Sequence, residues 1–215
     1  MTGEEAGARV GAAPVAAILV AAIVVAGGRS SRFGSDKLQH VLDGNTLLQR
    51  TMDAVRDIPH VVVVTAADLP DADAVTVSEF PRWGGPCAAV AAGVDALTSS
   101  VGRPLTDGDL LLLPADLADP WSAAEALRAI GLGVLTDQDG RPQWLLARAS
   151  LAALHARIDE LRADGGLPGR PASALFDRDT RRHAAAAHAC ADIDTRADLP
   201  TARTTDDRRL VHGTV

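Results

Sequence analysis

Short aliphatic runs alternate along this chain with segments in which apolar residues recur at helical spacing. A continuous apolar run bounded by turn residues is typical of a strand that is buried on both faces of a sheet. Such runs predict strands at residues 18–25, 60–65, 75–79, 109–116, 133–136 and 143–148. Helical spacing predicts helices that begin near residues 46, 86, 121 and 150, with a short one at 171–176. Strands that alternate with helices predict an α/β fold, with a mostly parallel sheet covered on both sides.

One domain accounts for this pattern, since 215 residues provide enough core to fold alone. We expect the domain to span residues 14–200. Residues 1–13 are small, polar or acidic and predict a flexible leader. Residues 201–215 lack an apolar period and predict a flexible tail.

The net charge and the cysteine content indicate which partners and which cellular compartment to expect. The net charge of −7 and the pI near 5.3 argue against non-specific binding to nucleic acid. Cys87 and Cys190 lie far apart without metal spacing, so we expect reduced thiols and a cytoplasmic protein. The apolar stretch 12–26 is shorter than the ~20 residues of a membrane-spanning helix, and Glu4 and Glu5 before it are unlike a signal peptide. We therefore expect no membrane partner.

A glycine-rich, basic segment follows the first predicted strand directly. Gly27 and Gly28 allow a sharp turn that leaves backbone N–H groups open to an anion. Arg29, Arg32 and Lys37 bring positive charge into the same loop. Lys37 is the only lysine in the chain, and its compact ammonium suits contact with a phosphate. The alternative is a solvent-exposed lysine that survives by chance. A glycine-rich turn with converging cations predicts a polyphosphate site.

This segment matches neither of the common phosphate-binding patterns. Lys37 does not directly follow Gly34, as a P-loop requires, and the adjacent Gly27 and Gly28 break the dinucleotide fingerprint. The segment instead resembles the signature Leu-Ala-Gly-Gly-x-Ser-x-Arg-Met-Gly-x-Asp-Lys of the MobA-like nucleotidyltransferases. The matching positions are Ala26, Gly27, Gly28, Ser30, Arg32, Gly34, Asp36 and Lys37. Within that family, the overall pattern is most similar to the molybdenum cofactor guanylyltransferases.

The resemblance implies both a fold and an activity. The fold is a three-layer α/β/α sandwich with a mostly parallel, Rossmann-like sheet of the nucleotide-diphospho-sugar transferase type. It also implies a strand at residues 184–189, where the propensity of alanine favours a helix. The activity is Mg²⁺-dependent transfer of GMP from GTP to molybdopterin-bound molybdenum cofactor, with release of pyrophosphate. CTP or another phosphorylated acceptor, and a nucleotide-binding module without catalysis, are the alternatives. Molybdoenzymes and other cofactor-assembly proteins are implied as transient partners.

The resemblance also assigns roles to residues of the loop and beyond. Lys37 would neutralise the α-phosphate and Arg32 the departing pyrophosphate, while amides near Gly27 hold the other phosphates. The nucleotide-binding residues are expected to be Ala26, Gly27, Gly28, Ser30, Lys37, Thr65, Glu79, Gly85 and Pro86. Glu79 would accept hydrogen bonds from the N1–H and N2–H₂ edge of guanine, or else is a solvated loop residue. Trp83, Trp121 and Trp144 are candidates for stacking on a base or pterin, with core packing favoured for each.

Two carboxylates are the candidate ligands of Mg²⁺, which takes one or two protein carboxylates and keeps several waters. Asp116 ends the predicted strand at 109–116, where the family has Cys-Asp-Met-Pro. The alternative is that Asp116 or Asp119 caps the helix that follows, and we favour this capping role for Asp119. Asp194 stands where the family has Asn-x-Asn-Thr-Pro-Glu-Asp. A negative charge near an anionic acceptor is unfavourable unless Asp194 binds a second Mg²⁺. The alternative for this segment is a capping box from Thr195 to Asp198. Because ligands bind at the carboxyl ends of parallel strands, the loop and Asp116 share one edge.

Overall fold

A computed structural model describes residues 18–27, 37–66, 74–101, 105 and 107–198. Gly28, Ser30 and Arg32 of the glycine-rich segment lie outside the described residues, as do the predicted leader and tail. In the part of the chain that is described, no helix combines the length and the apolar character needed to cross a membrane.

The centre of the fold is a seven-stranded sheet. In chain order its strands are β1 (Leu19–Ala26), β4 (His60–Thr65), β5 (Val75–Val77), β6 (Asp109–Pro114), β7 (Gly133–Thr136), β8 (Pro142–Ser150) and β9 (Arg182–Ala184). The strands β2 (Val41–Leu42) and β3 (Asn45–Thr46) form a separate hairpin. Their order across the sheet is β5-β4-β1-β6-β8-β7-β9. Only β8 runs antiparallel to its neighbours β6 and β7 within this sheet, so the sheet is mostly parallel, as predicted.

Among the described residues, four α-helices cover the sheet: α1 (Leu47–Val55), α2 (Pro86–Val101), α3 (Pro120–Ala129) and α4 (Leu151–Ala163). Their N-termini are specified by short-range chemistry. Thr46 and Gln49 form a capping box at α1, and Ser150 accepts a backbone hydrogen bond at the start of α4. Pro86 occupies the first position of α2, where its missing N–H costs nothing. These helix starts agree with the sequence prediction.

Side chains that alternate along β1 enter two separate cores. Ile23 belongs to the core under α2 and α4, whereas Val24 belongs to the core under α1 and α3. Gly93 brings α2 against the sheet, because a Cβ there would lie only 2.8 Å from Cγ2 of Ile23. Helices on both faces of this sheet make a three-layer α/β/α sandwich, as predicted.

The prediction of a strand at residues 184–189 is wrong. The strand at this place, β9, ends at Ala184, and Ala187–Ala189 form a 3₁₀ turn. The partner strand sets this limit: β9 pairs in parallel with β7, which ends at Thr136 opposite Ala184. Beyond that point β7 offers no further strand for pairing, so the alanine-rich segment turns instead.

Candidate active site

The end of the glycine-rich segment is anchored to α1. Lys37–Gln39 form a 3₁₀ turn in which the N–H of His40 donates to the carbonyl of Lys37 at 3.0 Å. The carbonyl of His40 in turn accepts from the N–H of Leu47, the first residue of α1, at 3.1 Å. Lys37 therefore emerges from a turn with fixed attachment to the helix layer.

Asp116 and Asp194 come together through backbone pairing. The N–H of Ala115 donates to the carbonyl of Val25 at 3.0 Å, which places Asp116 beside the carboxyl end of β1. The carbonyl of Asp116 then accepts from the N–H of Ile193 at 2.8 Å. This contact holds the C-terminal segment, and with it Asp194, against the end of β6.

A compact ionic cluster results. Nζ of Lys37 lies 2.6 Å from Oδ2 of Asp116 and 3.3 Å from Oδ1 of Asp194. Partial burial lowers the pKa of Lys37, but the hydrogen bonds and charges of Asp116 and Asp194 outweigh burial and raise the pKa above its ordinary value. The ammonium thus stays charged throughout the neutral range. Three residues that the sequence predicted for one site lie together, although Lys37 and Asp194 are 157 positions apart.

The segment after Asp194 is capped, as the capping interpretation of this segment predicts. Oδ2 of Asp198 accepts from the hydroxyl of Thr195 at 2.8 Å and from the backbone N–H of Asp194 at 3.1 Å. The side-chain and backbone hydrogen bonds from Thr195 lower the pKa of Asp198. Thr195 and Asp198 form the local cap, and this leaves the carboxylate of Asp194 to face Lys37.

Further negative charge lies next to the cluster. Burial raises the pKa of Asp192, and the charges of Asp194 and Asp116 raise it further. Asp119 is separate, because it caps α3 by accepting from the N–H and the hydroxyl of Ser122. The capping role favoured for Asp119 from the sequence is therefore confirmed.

The donor set of the cluster fits a hard divalent cation. Asp116 and Asp194 already share one cation, the ammonium of Lys37, between two carboxylate oxygens. Among the described residues, no group of three or more His, Cys, Asp or Glu side chains has metal-binding geometry. Two carboxylates suffice for Mg²⁺, which completes its shell with water and substrate phosphate oxygens.

A cavity of about 350 Å³ opens on the α2 side of the end of β1. It is lined by Val25, Gly27, Glu79, Trp83, Gly85, Pro86, Ala89 and Leu145. Four of the predicted nucleotide-binding residues, namely Gly27, Glu79, Gly85 and Pro86, thus lie around one space. The main chain of Val25 joins the cavity to the ionic cluster, since its carbonyl holds the residue before Asp116.

Glu79 has an unusual environment for a carboxylate. It is 6% exposed, and no described residue donates a hydrogen bond to its buried Oε2. A buried charged oxygen without a donor is costly, so such a group indicates a ligand that brings its own N–H. The alternative of a solvated loop residue is wrong for Glu79.

Two of the predicted nucleotide-binding residues lie neither at the cavity nor in the ionic cluster. Ala26 and Thr65 are register partners at the ends of β1 and β4, and both are buried. Neither lines the cavity, because alternation along β1 turns Val25 toward α2 and Ala26 toward the opposite core. The sequence interpretation also missed Leu145, which reaches the cavity from the antiparallel strand β8. No sequence signal places that strand beside β6.

The match to a family model covers most of this architecture. Residues 22–186 match the model described as the MobA-like NTP transferase domain. The chain belongs to this family. It is therefore a nucleotidyltransferase, and the matched region includes Lys37, Asp116 and every residue that lines the cavity. Asp194 lies just beyond it.

Individual relatives agree on the class of enzyme and differ in their substrates. The chain is 34% identical over 197 residues to the probable molybdenum cofactor guanylyltransferase of Mycobacterium ulcerans, covering 86% of this chain and 93% of that protein. It is 32% identical over 166 residues to the 2-C-methyl-D-erythritol 4-phosphate cytidylyltransferase of Frankia casuarinae, covering 74% of this chain and 57% of that protein. The molybdopterin-guanine dinucleotide biosynthesis protein A of Archaeoglobus fulgidus has a similar fold, with 17% identity, a TM-score of 0.55 and coverage of 84% and 95%.

Proposed function

We propose that this enzyme transfers GMP from GTP to the terminal phosphate of molybdopterin-bound molybdenum cofactor and releases pyrophosphate. The observation that carries the proposal is the ammonium of Lys37 held between Asp116 and Asp194 beside a cavity lined by the buried Glu79, to whose Oε2 no described residue donates a hydrogen bond. The cluster supplies cationic and metal-binding groups for phosphoryl chemistry, and the cavity supplies a site for a base.

The chemistry follows from where charge develops. As the acceptor phosphate attacks the α-phosphorus of GTP, negative charge increases on the oxygens around that phosphorus and on the departing pyrophosphate. Lys37, which remains protonated, would stabilise the oxygens of the α-phosphate. Arg32 is proposed to neutralise pyrophosphate, and the amides of Gly27 and Gly28, with Ser30, to bind the β- and γ-phosphates. These roles require alignment rather than covalent chemistry by the protein.

Mg²⁺ would be held by Asp116 and, as the second carboxylate, by Asp194. When bound, the ion supplies positive charge to the phosphate oxygens and orients them. The side chain of Asp194 is 53% exposed, so an incoming ligand can reach it. A cation at this place also offsets the negative charge of Asp194 and Asp192 near an anionic acceptor.

Selection of guanine rests on Glu79. Its carboxylate accepts two hydrogen bonds, and guanine presents two donors, N1–H and N2–H₂, on one edge. The corresponding edge of cytosine presents an acceptor at N3, which a carboxylate repels. The cytidylyltransferase of Frankia casuarinae supports a second candidate, in which CTP is the donor and the acceptor is another phosphorylated molecule.

Calorimetric titration with GTP, CTP, ATP and UTP, each with Mg²⁺, tests the donor. We expect selective binding of GTP, and a Glu79→Gln variant should lose selectivity because an amide cannot accept both hydrogen bonds. Release of pyrophosphate in the presence of GTP and molybdopterin-bound cofactor then tests the acceptor. A preference for CTP would move the assignment to the second candidate, and binding without pyrophosphate release with any phosphorylated acceptor would contradict catalysis.

A further inference from the structure

The cavity that Glu79 enters has an aromatic wall. Trp83 lines it and is 43% exposed, so core packing, which the sequence favoured, does not account for this side chain. An exposed indole at the rim of a cavity offers a large flat apolar surface to a ligand. Trp121 is exposed to nearly the same extent, at 44%, but it packs against Arg50 and does not line this cavity.

The backbone at Trp83 is strained. The N–H of Gly84 donates to the carbonyl of Pro81 at 2.9 Å, which closes a turn with Trp83 at its third position. Trp83 has a φ of +66°, in the left-handed region where a turn ordinarily uses glycine or asparagine. A bulky side chain costs free energy in that conformation, and such strain concentrates at functional sites. The turn therefore holds an indole where glycine would fit more easily.

Neighbouring groups fix the indole in place. The guanidinium of Arg82 lies 5.4 Å from the centroid of the Trp83 ring, within the range of a cation–π contact. Nη2 of Arg82 also donates to the carbonyl of Ala66, the residue after β4, at 2.7 Å. On the other side of the turn, the carbonyl of Gly84 accepts from the N–H of Gly169 at 2.8 Å. The ring is thus positioned before any ligand arrives.

We propose that Trp83 is the platform on which the purine ring of the donor nucleotide stacks, beside the carboxylate of Glu79. This inference rests on the proposed function and adds a second determinant of donor choice. Glu79 recognises the hydrogen-bonding edge of the base, whereas Trp83 contacts its face. Stacking on an indole increases with ring area, so Trp83 favours a purine over a pyrimidine.

The test separates contact with the base from contact with the phosphates. Each full-length variant is titrated calorimetrically with GTP and with inorganic tripolyphosphate, which has no base, both with Mg²⁺. We expect Trp83→Ala to weaken GTP binding by between about 5-fold and 150-fold, the range typical for loss of one base-stacking aromatic residue. Binding of tripolyphosphate should not change. Trp83→Phe should retain most of the affinity, and Trp121→Ala, the matched control, should bind both ligands as the wild-type protein does.

A fluorescence titration covers the case in which Trp83→Ala fails to fold. The chain contains three tryptophans, so a Trp121→Phe, Trp144→Phe variant reports from Trp83 alone. GTP should quench this signal and tripolyphosphate should leave it unchanged. Equal quenching by both ligands would overturn the stacking role, because the signal would then follow occupancy of the phosphate site.

Other outcomes distinguish the inference from the proposed function. If the wild-type protein selects GTP and Trp83→Ala binds it equally well, stacking is wrong while guanylyl transfer stands. If Trp83→Ala weakens GTP and tripolyphosphate by the same factor, the residue only holds the turn and the inference is also wrong. If the wild-type protein binds GTP no better than tripolyphosphate, or prefers CTP, the proposed donor fails together with purine stacking.

Discussion

The ammonium of Lys37 lies 2.6 Å from Oδ2 of Asp116, at the place between two carboxylates where a divalent cation would also bind. The only lysine of the chain and the proposed Mg²⁺ ligand are thus ion-paired with each other. Binding of Mg²⁺ and nucleotide would require this ammonium to leave Asp116 and turn toward phosphate. In the pair, the ammonium offsets part of the negative charge of Asp116 and Asp194.

Substituting Lys37 by Ala should have opposite effects on metal affinity and on turnover. Without the competing ammonium, the affinity for Mg²⁺ in the absence of nucleotide should rise, as measured by calorimetry. Turnover should fall by about a hundredfold or more, because one charged donor to the reacting phosphate is lost. Lys37→Arg keeps the charge in a planar fork and should give intermediate rates. Near-normal pyrophosphate release by Lys37→Ala would contradict the catalytic role.

Asp194→Asn removes one of the two proposed metal-binding carboxylates while keeping the size of the side chain. The Mg²⁺ concentration for half-maximal activity should rise by about tenfold, which is typical of losing a side chain that supports metal binding. Asp159→Asn serves as the control, since Asp159 is also an ion-paired aspartate, with Arg162 as its partner, but lies on α4. If Asp194→Asn leaves the Mg²⁺ requirement unchanged and only lowers the KM for the acceptor, Asp194 repels the acceptor and binds no metal.

A buried ion pair away from the site should contribute strongly to stability. Nε of Arg148 donates to Oδ2 of Asp109 at 2.8 Å, and the Asp109 side chain is only 5% exposed. Asp109→Ala removes the carboxylate that pairs with a largely buried guanidinium, so we expect a loss of about 3 kcal/mol in urea unfolding. Asp57→Ala breaks an exposed pair with Arg128 and should cost under about 1 kcal/mol. Equal costs for the two variants would show that burial of the Arg148–Asp109 pair is unimportant.

Gly93 should tolerate no side chain. A Cβ at this position would lie 2.8 Å from Cγ2 of Ile23 and 3.1 Å from Cγ2 of Val64, so Gly93→Ala overpacks the contact between α2 and the sheet. We expect a loss of about 1–3 kcal/mol in the free energy of unfolding. Gly131→Ala is the control, because no atom within 4 Å would meet its Cβ. A Gly93→Ala variant as stable as the wild-type protein would mean that α2 shifts freely on the sheet.

The sequence alone predicted most of the elements and the candidate residues of the site. β4 and β6, for example, contain continuous aliphatic runs at residues 61–64 and 110–113, and such a run has few alternatives to a buried strand. The start of α1 follows from the short-range chemistry of Thr46 and Gln49. The glycine-rich signature made Lys37 a candidate, and the carboxylate that follows an aliphatic run made Asp116 one, because both signals lie within a few consecutive residues.

Tertiary structure decided everything that depends on which strands are neighbours. The antiparallel insertion of β8 brings Leu145 to the cavity, and the short length of β7 ends β9 at Ala184. The direction of side-chain alternation on β1 separates Val25 from Ala26. Burial of Glu79 and the exposed, left-handed Trp83 depend on packing between distant segments. Local propensity cannot encode these features, because their free energies arise from contacts between residues far apart in the chain.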